Sequence, residues 1–149
     1  MRKSWWVLLL VALLLAACGP RRVVVAPMLA VQELRRVDAE WAVKLRVDSV
    51  ANVPFDLSAL RVRVDLDGVS VPLPPQSLAL TLPARGTETI DLRVTLPPAA
   101  VERLSAARDG RALYYRIDGE IESSKPSVRL LVDSEGRISA VPGVVDQFR

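Results

Sequence analysis

The sequence predicts an all-β fold, an antiparallel β-sandwich of the immunoglobulin or fibronectin type III kind with about seven or eight strands and one short helix. Three observations predict it. Apolar and polar residues alternate with a period of two through most of the chain after Pro27, which is typical of strands with one buried face. Glycine, proline and aspartate turn signals separate these runs. One segment, 99–107, instead repeats its apolar residues at helical spacing.

Two strands are predicted first. Residues 28–37 are apolar but irregular and are predicted to form the first strand. Residues 40–48 alternate strictly, with Trp41 on the apolar side, so this strand has one buried and one solvated face. Trp41 is therefore assigned to the core and not to a ligand platform.

A turn and a hairpin follow. The Asn-Val-Pro segment at 52–54 ends the second strand, because proline cannot donate to a strand ladder. Alternation resumes at 60–66, and the Asp-Gly step at 67–68 suits a two-residue turn with positive φ, after which 69–71 form the return strand. The prolines within 72–75 predict an extended link that carries the chain from one sheet to the other.

Two strands and the helix come next. Residues 78–82 and 90–96 alternate like strands and are separated by a turn at 83–86. The segment 99–107 follows two prolines, which are tolerated in the first turn of a helix. Its apolar residues share one face, so it is predicted to be a short helix that covers one end of the sandwich.

The last third of the chain predicts three further segments. Residues 113–121 and 128–132 alternate like strands. The Asp-Ser-Glu-Gly segment at 133–136 predicts a turn into a weak last strand at 137–140. The tail to Arg149 has no assignment.

The N-terminal residues are predicted to be a signal peptide and not part of the fold. Two basic residues precede an apolar run of about 13 residues at 5–17, which is too short to cross a hydrocarbon core of about 30 Å. The Leu-Ala-Ala-Cys step at 15–18 resembles the bacterial lipobox, whose cysteine is acylated and becomes the first residue of the processed protein. The alternatives are a secreted protein with a spare thiol at Cys18, or an uncleaved apolar anchor.

These assignments divide the chain into a signal peptide at 1–17, a lipidated tether at 18–26 and a β-sandwich domain at 27–149. The predicted membrane partner is a bilayer that holds the lipid on Cys18. Gly19 stands where an aspartate retains many lipoproteins at the inner membrane of double-membraned bacteria, so the expected location is the cell envelope, on the periplasmic face of the outer membrane. Arg21 and Arg22 lie beside the anchor, where they contact headgroups or are simply solvated.

The composition excludes several kinds of chemistry. The chain has no histidine and one cysteine, so a His/Cys zinc site, a Ser-His-Asp triad and an internal disulfide cannot form. Once the signal leaves, 18 basic residues face 17 acidic ones, and this near neutrality argues against a nucleic-acid partner. No cofactor is predicted.

Two pairs of carboxylates are the candidates for a catalytic or metal site. Asp65 with Asp67, and Glu120 with Glu122, are spaced two apart on predicted strands, so each pair projects from one face. The preferred interpretation is that they pair with arginines in the same polar rows. We therefore predict no catalytic residues, no metal site and no enzyme. The arginines in question are Arg61, Arg63 and Arg116.

The middle of the chain resembles the late embryogenesis abundant type 2 family, also called the water stress and hypersensitive response domain. The resemblance rests on the strand at 43–50, the Asn-Val-Pro-Phe-Asp-Leu segment at 52–57, the Val-x-Val-Asp-Leu-Asp-Gly-Val segment at 62–69, the Leu-Pro-Ala-Arg-Gly segment at 82–86 and the Tyr-x-x-x-Gly strand at 115–119. It runs from about residue 27 to residue 124. The family places Asn and Pro together where this chain has Asn-Val-Pro. The resemblance implies a fibronectin-like sandwich, an association with stress and desiccation, and no catalytic residues.

These observations lead to two functional hypotheses. The first is a membrane-anchored, non-catalytic protective or binding module that acts on client proteins during stress or desiccation. The alternative is a structural adaptor that binds a partner protein of an envelope assembly. The candidate partner-binding loop contains Asn52, Val53, Pro54 and Phe55, because its apolar side chains are either tucked under the loop or presented to a partner.

The lipid anchor is tested by replacing the cysteine. Cys18→Ala is expected to leave an unprocessed or mislocalised precursor, because the acylated side chain is absent, whereas the native protein partitions into detergent with a blocked N-terminus. Intact mass spectrometry decides between the alternatives. A processed native protein without acyl chains would contradict the prediction.

Overall fold

The computed structural model describes residues 22–108 and 110–149, which form nine strands and one helix in two antiparallel sheets. The fold class predicted from the sequence, an antiparallel β-sandwich with one short helix, is confirmed. The strands are β1 (Met28–Val37), β2 (Glu40–Asp48), β3 (Phe55–Leu66), β4 (Val69–Pro72), β5 (Gln76–Leu82), β6 (Thr87–Val94), β7 (Leu113–Lys125), β8 (Ser127–Ile138) and β9 (Gln147–Phe148), and the helix is α1 (Pro98–Ala107).

The first sheet has four strands in the order β6-β2-β1-β9. The second has the order β4-β3-β7-β8, with β5 also paired to β3. Strand β7 is the longest, and it pairs with β3 on one side and with β8 on the other over nearly its full length. The two central strands β3 and β7 therefore hold the second sheet together.

The core lies between the sheets. Trp41 is buried on β2, and Phe55, Ile117 and Ile121 are fully buried on β3 and β7. Each side chain of this kind contributes about 1.5–3 kcal/mol of gross stabilisation when it leaves water. The assignment of Trp41 to the core is confirmed.

The two sheets are joined at one seam by side-chain hydroxyls. The Leu29 amide of β1 donates to Ser134 Oγ at 3.2 Å, and the Val31 amide donates to the Tyr115 hydroxyl at 3.1 Å. Gly136 lies directly across from Tyr115 on β8, and a Cβ there would overlap the tyrosine ring and its hydroxyl. The absence of a side chain at Gly136 thus leaves room for the Tyr115 ring, whose hydroxyl accepts the hydrogen bond from the Val31 amide of β1.

The Asp-Gly hairpin and the helix are confirmed. Asp67 and Gly68 have φ values of 50° and 86°, as a two-residue turn between twisted strands requires. Helix α1 begins one residue before the predicted start and buries Ala100, Leu104 and Ala107 on its inner face. Within the described residues, no helix is long and apolar enough to cross a bilayer.

The prediction that 72–75 link the two sheets is wrong. Strands β4 and β5 both pair with β3 on the edge opposite β7, and between them the Leu73 amide still donates to the Val62 carbonyl. The prolines interrupt the ladder without moving the chain to another sheet. The change of sheet occurs at 83–86, between β5 and β6.

The predicted turn at 133–136 is also wrong. Strand β8 runs through this segment, and each of its four residues lies opposite a residue of β7. Asp, Ser and Gly are poor strand formers, but pairing and packing in the folded sheet override such preferences. Here Asp133 is ion-paired to Arg116, and Ser134 accepts the hydrogen bond from β1.

The C-terminal tail, which the sequence left unassigned, completes the first sheet. Strand β9 pairs with Leu34 and Arg35 of β1. Phe148 is buried, and its ring centroid lies 6.2 Å from that of Trp41. The tail is therefore part of the core.

Phe148→Ala is expected to lower the free energy of unfolding by about 3–5 kcal/mol, because it removes a buried ring and leaves a cavity beside Trp41. Urea denaturation followed by Trp41 fluorescence measures it. The matched control Val145→Ala, at an exposed position of the same tail, is expected to change stability by less than about 0.5 kcal/mol. Equal effects of the two changes would contradict the placement of β9.

Candidate functional site

The predicted partner-binding loop is only partly available at the surface. Phe55 begins β3 and is fully buried, and Val53 is half-buried against the core. Asn52 and Pro54 are exposed, and Asn52 Oδ1 accepts a hydrogen bond from the Val23 amide at 2.8 Å. In this conformation Phe55 cannot contact a partner, so a binding role for the loop stays a prediction for its exposed residues.

The outer face of the five-stranded sheet carries Glu120 and Glu122, one of the two carboxylate pairs. Arg61 Nη1 lies 3.1 Å from Glu120 Oε1 and 2.6 Å from Glu122 Oε1. Arg129 lies on the other side, with Nη2 3.0 Å from Glu122 Oε1. The two carboxylates are held between two guanidinium groups, as the sequence predicts for Arg61.

The same face continues with two further ion pairs. Arg63 Nη2 lies 2.9 Å from Asp118 Oδ2, and Arg116 donates two hydrogen bonds to Asp133, at 2.8 and 2.6 Å. We call this set the arginine ladder. It comprises Arg61, Arg63, Arg116, Arg129, Asp118, Glu120, Glu122 and Asp133.

Charge pairing in the ladder shifts pKa values in the expected directions. The hydrogen bond from Arg61 is the main reason that the pKa of Glu122 is lowered, and Arg116 lowers the pKa of Asp133 in the same way. The bond to Glu122 raises the pKa of Arg61 in turn. A carboxylate that is held ionised by two arginines is a poor general acid.

The other carboxylate pair stands at the β3–β4 hairpin. Asp65 Oδ1 accepts a hydrogen bond from the Gly68 amide at 2.8 Å, and Asp67 is a turn residue. Across the described part of the chain, no three or more side chains of His, Cys, Asp and Glu are grouped to hold a metal ion. The expected absence of a metal site remains a prediction.

Two concavities differ strongly in character. An open one of about 730 Å³ lies beside the β3–β4 hairpin, where the Arg137 guanidinium sits 5.5 Å from the centre of the exposed Tyr114 ring. A second, of about 30 Å³, lies between the sheets and is lined by apolar side chains. The second has room for about one water molecule, so it cannot hold a substrate.

Strand β5 presents a feature that the sequence analysis missed. It pairs with β3 along one edge, and among the described strands none pairs with its other edge. Its sequence, Gln-Ser-Leu-Ala-Leu-Thr-Leu, contains no charged residue and lies between prolines 75 and 83. The edge strand β6, by comparison, carries Glu88, Asp91 and Arg93. An open edge without charges is a template for another strand.

A signal for this edge was present in the sequence. Residues 76–82 form the longest uncharged strand segment that has prolines on both sides. What the sequence could not show is that 72–75 keep the chain in the same sheet. That placement leaves β5 at the outside, where its second edge is open.

Comparison with known families agrees with the resemblance seen in the sequence. Residues 44–136, more than half of the chain, match the family model described as late embryogenesis abundant protein. The chain belongs to the late embryogenesis abundant type 2 family. Membership suggests a stress-associated or binding module. None of the curated proteins matches the sequence.

A solved structure shows the same fold. A protein of Arabidopsis thaliana, determined in solution, superposes with a TM-score of 0.56 at 12% identity, over 86% of this chain and 91% of that chain. A crystal structure of an Archaeoglobus fulgidus protein has 16% identity over 81% of this chain and 98% of that chain, but its TM-score of 0.39 is too low to bear on the fold. At these identities the likeness concerns the fold alone.

The ladder predicts a pH dependence of stability. Because the pKa of Glu122 is lower in the folded than in the unfolded protein, its contribution is present above about pH 4.5 and is lost as the pH falls through the lowered value. Glu122→Gln is therefore expected to be less stable than the native protein at pH 7, and the difference is expected to close in acid. Urea denaturation across this range measures it.

The control is Glu102→Gln on α1, an exposed residue without an ion pair in the described part of the chain. It is expected to follow the native curve at every pH. A constant offset for Glu122→Gln at all pH values would show that its charge pairing does not contribute.

Proposed function

We propose that this protein is a non-catalytic binding module of the bacterial cell envelope, held at the membrane by acylated Cys18 and protective during stress or desiccation. Family membership supports the association with stress. The observation that carries the binding role is the open, uncharged edge of β5. Its backbone donors and acceptors can pair with an extended segment of a client protein.

A folded sandwich protects clients differently from a disordered chain. Its large apolar side chains lie mainly between the sheets, so it cannot wrap a client with a flexible apolar chain. Contact must come from groups already at the surface. On β5 these groups are the backbone edge and the exposed side chains of Ser77, Ala79 and Thr81.

The arginine ladder is a poorer docking surface than β5. Its charges already pair with one another at distances of 2.6 to 3.1 Å in the closest contacts. Burying such pairs under a partner removes them from water, and that desolvation offsets much of the gain. A partner strand on β5 has no charge to desolvate.

The structural adaptor is the second candidate, and the same edge favours it. Strand addition to β5 offers one continuous site of seven residues, which suits a single defined strand of an envelope protein. The two candidates differ in stoichiometry. A protective module contacts many clients weakly, whereas an adaptor captures one partner at a fixed ratio.

The experiment is to dry a labile enzyme with the native protein, with Ala79→Lys, and with an equal mass of albumin. The native protein is expected to preserve more activity than albumin. Ala79→Lys is expected to lose most of that advantage, because a lysine on an edge strand opposes pairing. Thr89→Lys on the charged edge β6 is the matched control and is expected to protect like the native protein.

Crosslinking in cells separates the two candidates. One stoichiometric partner that is lost in Ala79→Lys, with no protection beyond albumin, would replace the protective role with the adaptor role. Equal protection by the native protein and Ala79→Lys would contradict binding through β5. Circular dichroism of each variant verifies that it is folded.

A further inference from the structure

One end of the sandwich gathers the first described residues and three connections, and we call it the anchor end. It comprises residues 22–27, 49–54, 83–86 and 125–126. Hydrogen bonds tie these segments together. The Val23 amide donates to Asn52 Oδ1 at 2.8 Å, and the Arg85 amide donates to the Ala51 carbonyl at 3.0 Å. Next to these segments, the Ser124 hydroxyl of β7 donates to the Asp56 carbonyl of β3 at 3.2 Å.

The anchor end exposes a group of valines. Val50 is 57% exposed, and Val23, Val24 and Val25 are each more than 40% exposed. Val23 is bonded to the loop that contains Val50, so these four side chains belong to one end of the molecule. Apolar residues clustered at the surface mark a contact with a protein or a membrane.

Three exposed cations accompany the valines. Arg22, Arg85 and Lys125 are exposed, and among the described residues none of them is in an ion pair. Lys125 lies opposite Asp56 in the β3–β7 register without bonding to its carboxylate. The cations therefore face solvent.

Two of the acidic residues near this end accept hydrogen bonds from neighbouring side chains. Asp48 accepts from Arg46 at 2.8 Å and from the Thr87 hydroxyl at 2.6 Å. Asp56 accepts from the Thr81 hydroxyl at 2.8 Å. Glu88 is half-buried near the same end and has no ion pair within the described residues. A hydroxyl hydrogen bond does not neutralise Asp56, so among the described residues the anchor end has two carboxylates without an ion pair, Asp56 and Glu88, against three such cations. An excess of one positive charge remains.

The chain length brings this end to the bilayer. Three residues lie between Cys18 and Arg22, so the fully extended chain covers four Cα–Cα steps of at most about 3.6 Å each, or roughly 15 Å. If Cys18 carries the lipid, no other end of the domain can come as close to the headgroups. Because the link to Cys18 is short, the exposed valines of the anchor end are expected to contact a lipid surface.

We propose that the anchor end docks onto an anionic bilayer, with Val24, Val25 and Val50 at the interface and Arg22, Arg85 and Lys125 against the phosphate-bearing headgroups. The proposal rests on the lipid anchor at Cys18 and goes beyond it, because an anchor alone leaves the domain free to tumble. Docking stands the sandwich upright on the membrane. Tyr114 and its open concavity, at the opposite end, then point away from the bilayer.

The test places the processed lipoprotein, with methyl-labelled valines, in nanodiscs that contain a nitroxide-bearing lipid. In discs of phosphatidylglycerol and phosphatidylcholine, the methyl signals of Val24, Val25 and Val50 are expected to broaden. Those of Val144 and Val145, which are exposed near the opposite end, are expected to stay sharp. Equal broadening at both ends, or no broadening of Val50, overturns the proposal.

Charge is tested with matched variants. Arg85→Gln and Lys125→Gln are each expected to lower the ratio of docked to undocked protein about fivefold on anionic discs, since one basic residue is lost near the surface. Arg137→Gln, which changes a cation near the opposite end, is expected to leave that ratio unchanged. The same effect from all three variants contradicts docking through the anchor end.

The anchor itself is checked separately by intact mass. If the native protein carries no acyl chain, the lipid anchor fails, and the Cys18 thiol is then coupled to a maleimide lipid in the same discs. Broadening of the anchor-end valines in that sample supports docking on its own. Sharp signals in that sample reject docking independently of the anchor.

Discussion

The fold depends on burial between two sheets, because the chain has a single cysteine and cannot form an internal disulfide. Strands β3 and β7 contribute Phe55, Ile117 and Ile121 to that interface, where all three are fully buried. Stability therefore rests on keeping the sheets together along their length. The hydroxyls of Tyr115 and Ser134 do this at the β1 seam, where they accept amide hydrogen bonds that a neighbouring strand would otherwise accept.

Much of the fold follows from local signals, and the parts that were mispredicted depend on distant ones. The apolar run at 28–37 and the alternation at 40–48 predict the bounds of β1 and β2, and the Asp-Gly step predicts the hairpin, since positive φ is a local requirement. The segment 133–136 contains turn residues, yet it is a strand because β7 pairs with all of it. The tail is structured because Phe148 packs against Trp41, which is more than 100 residues away in sequence.

The candidate sites show the same division. The partners of Glu120 and Glu122 are predictable because Arg61 lies in a matching polar row. The uncharged, proline-flanked composition of β5 is visible in the sequence, but its place at an open edge is not predictable, because that depends on strand order. Likewise, the burial of Phe55 depends on β3 starting five residues before the segment in which alternation is clear.

Charge is distributed unevenly over the edges and faces, and this distribution connects the two proposals. The outer face of the five-stranded sheet neutralises its own charges, and edge β6 carries charges that discourage pairing. At the anchor end, three cations have no ion-pair partner among the described residues. On β5, the outer edge has no charged side chain and pairs with none of the described strands. Strand β5 ends at Leu82, beside the anchor end, and runs from there along the side of the sandwich. A domain held upright by its anchor end would keep that edge clear of the bilayer and open to a partner strand.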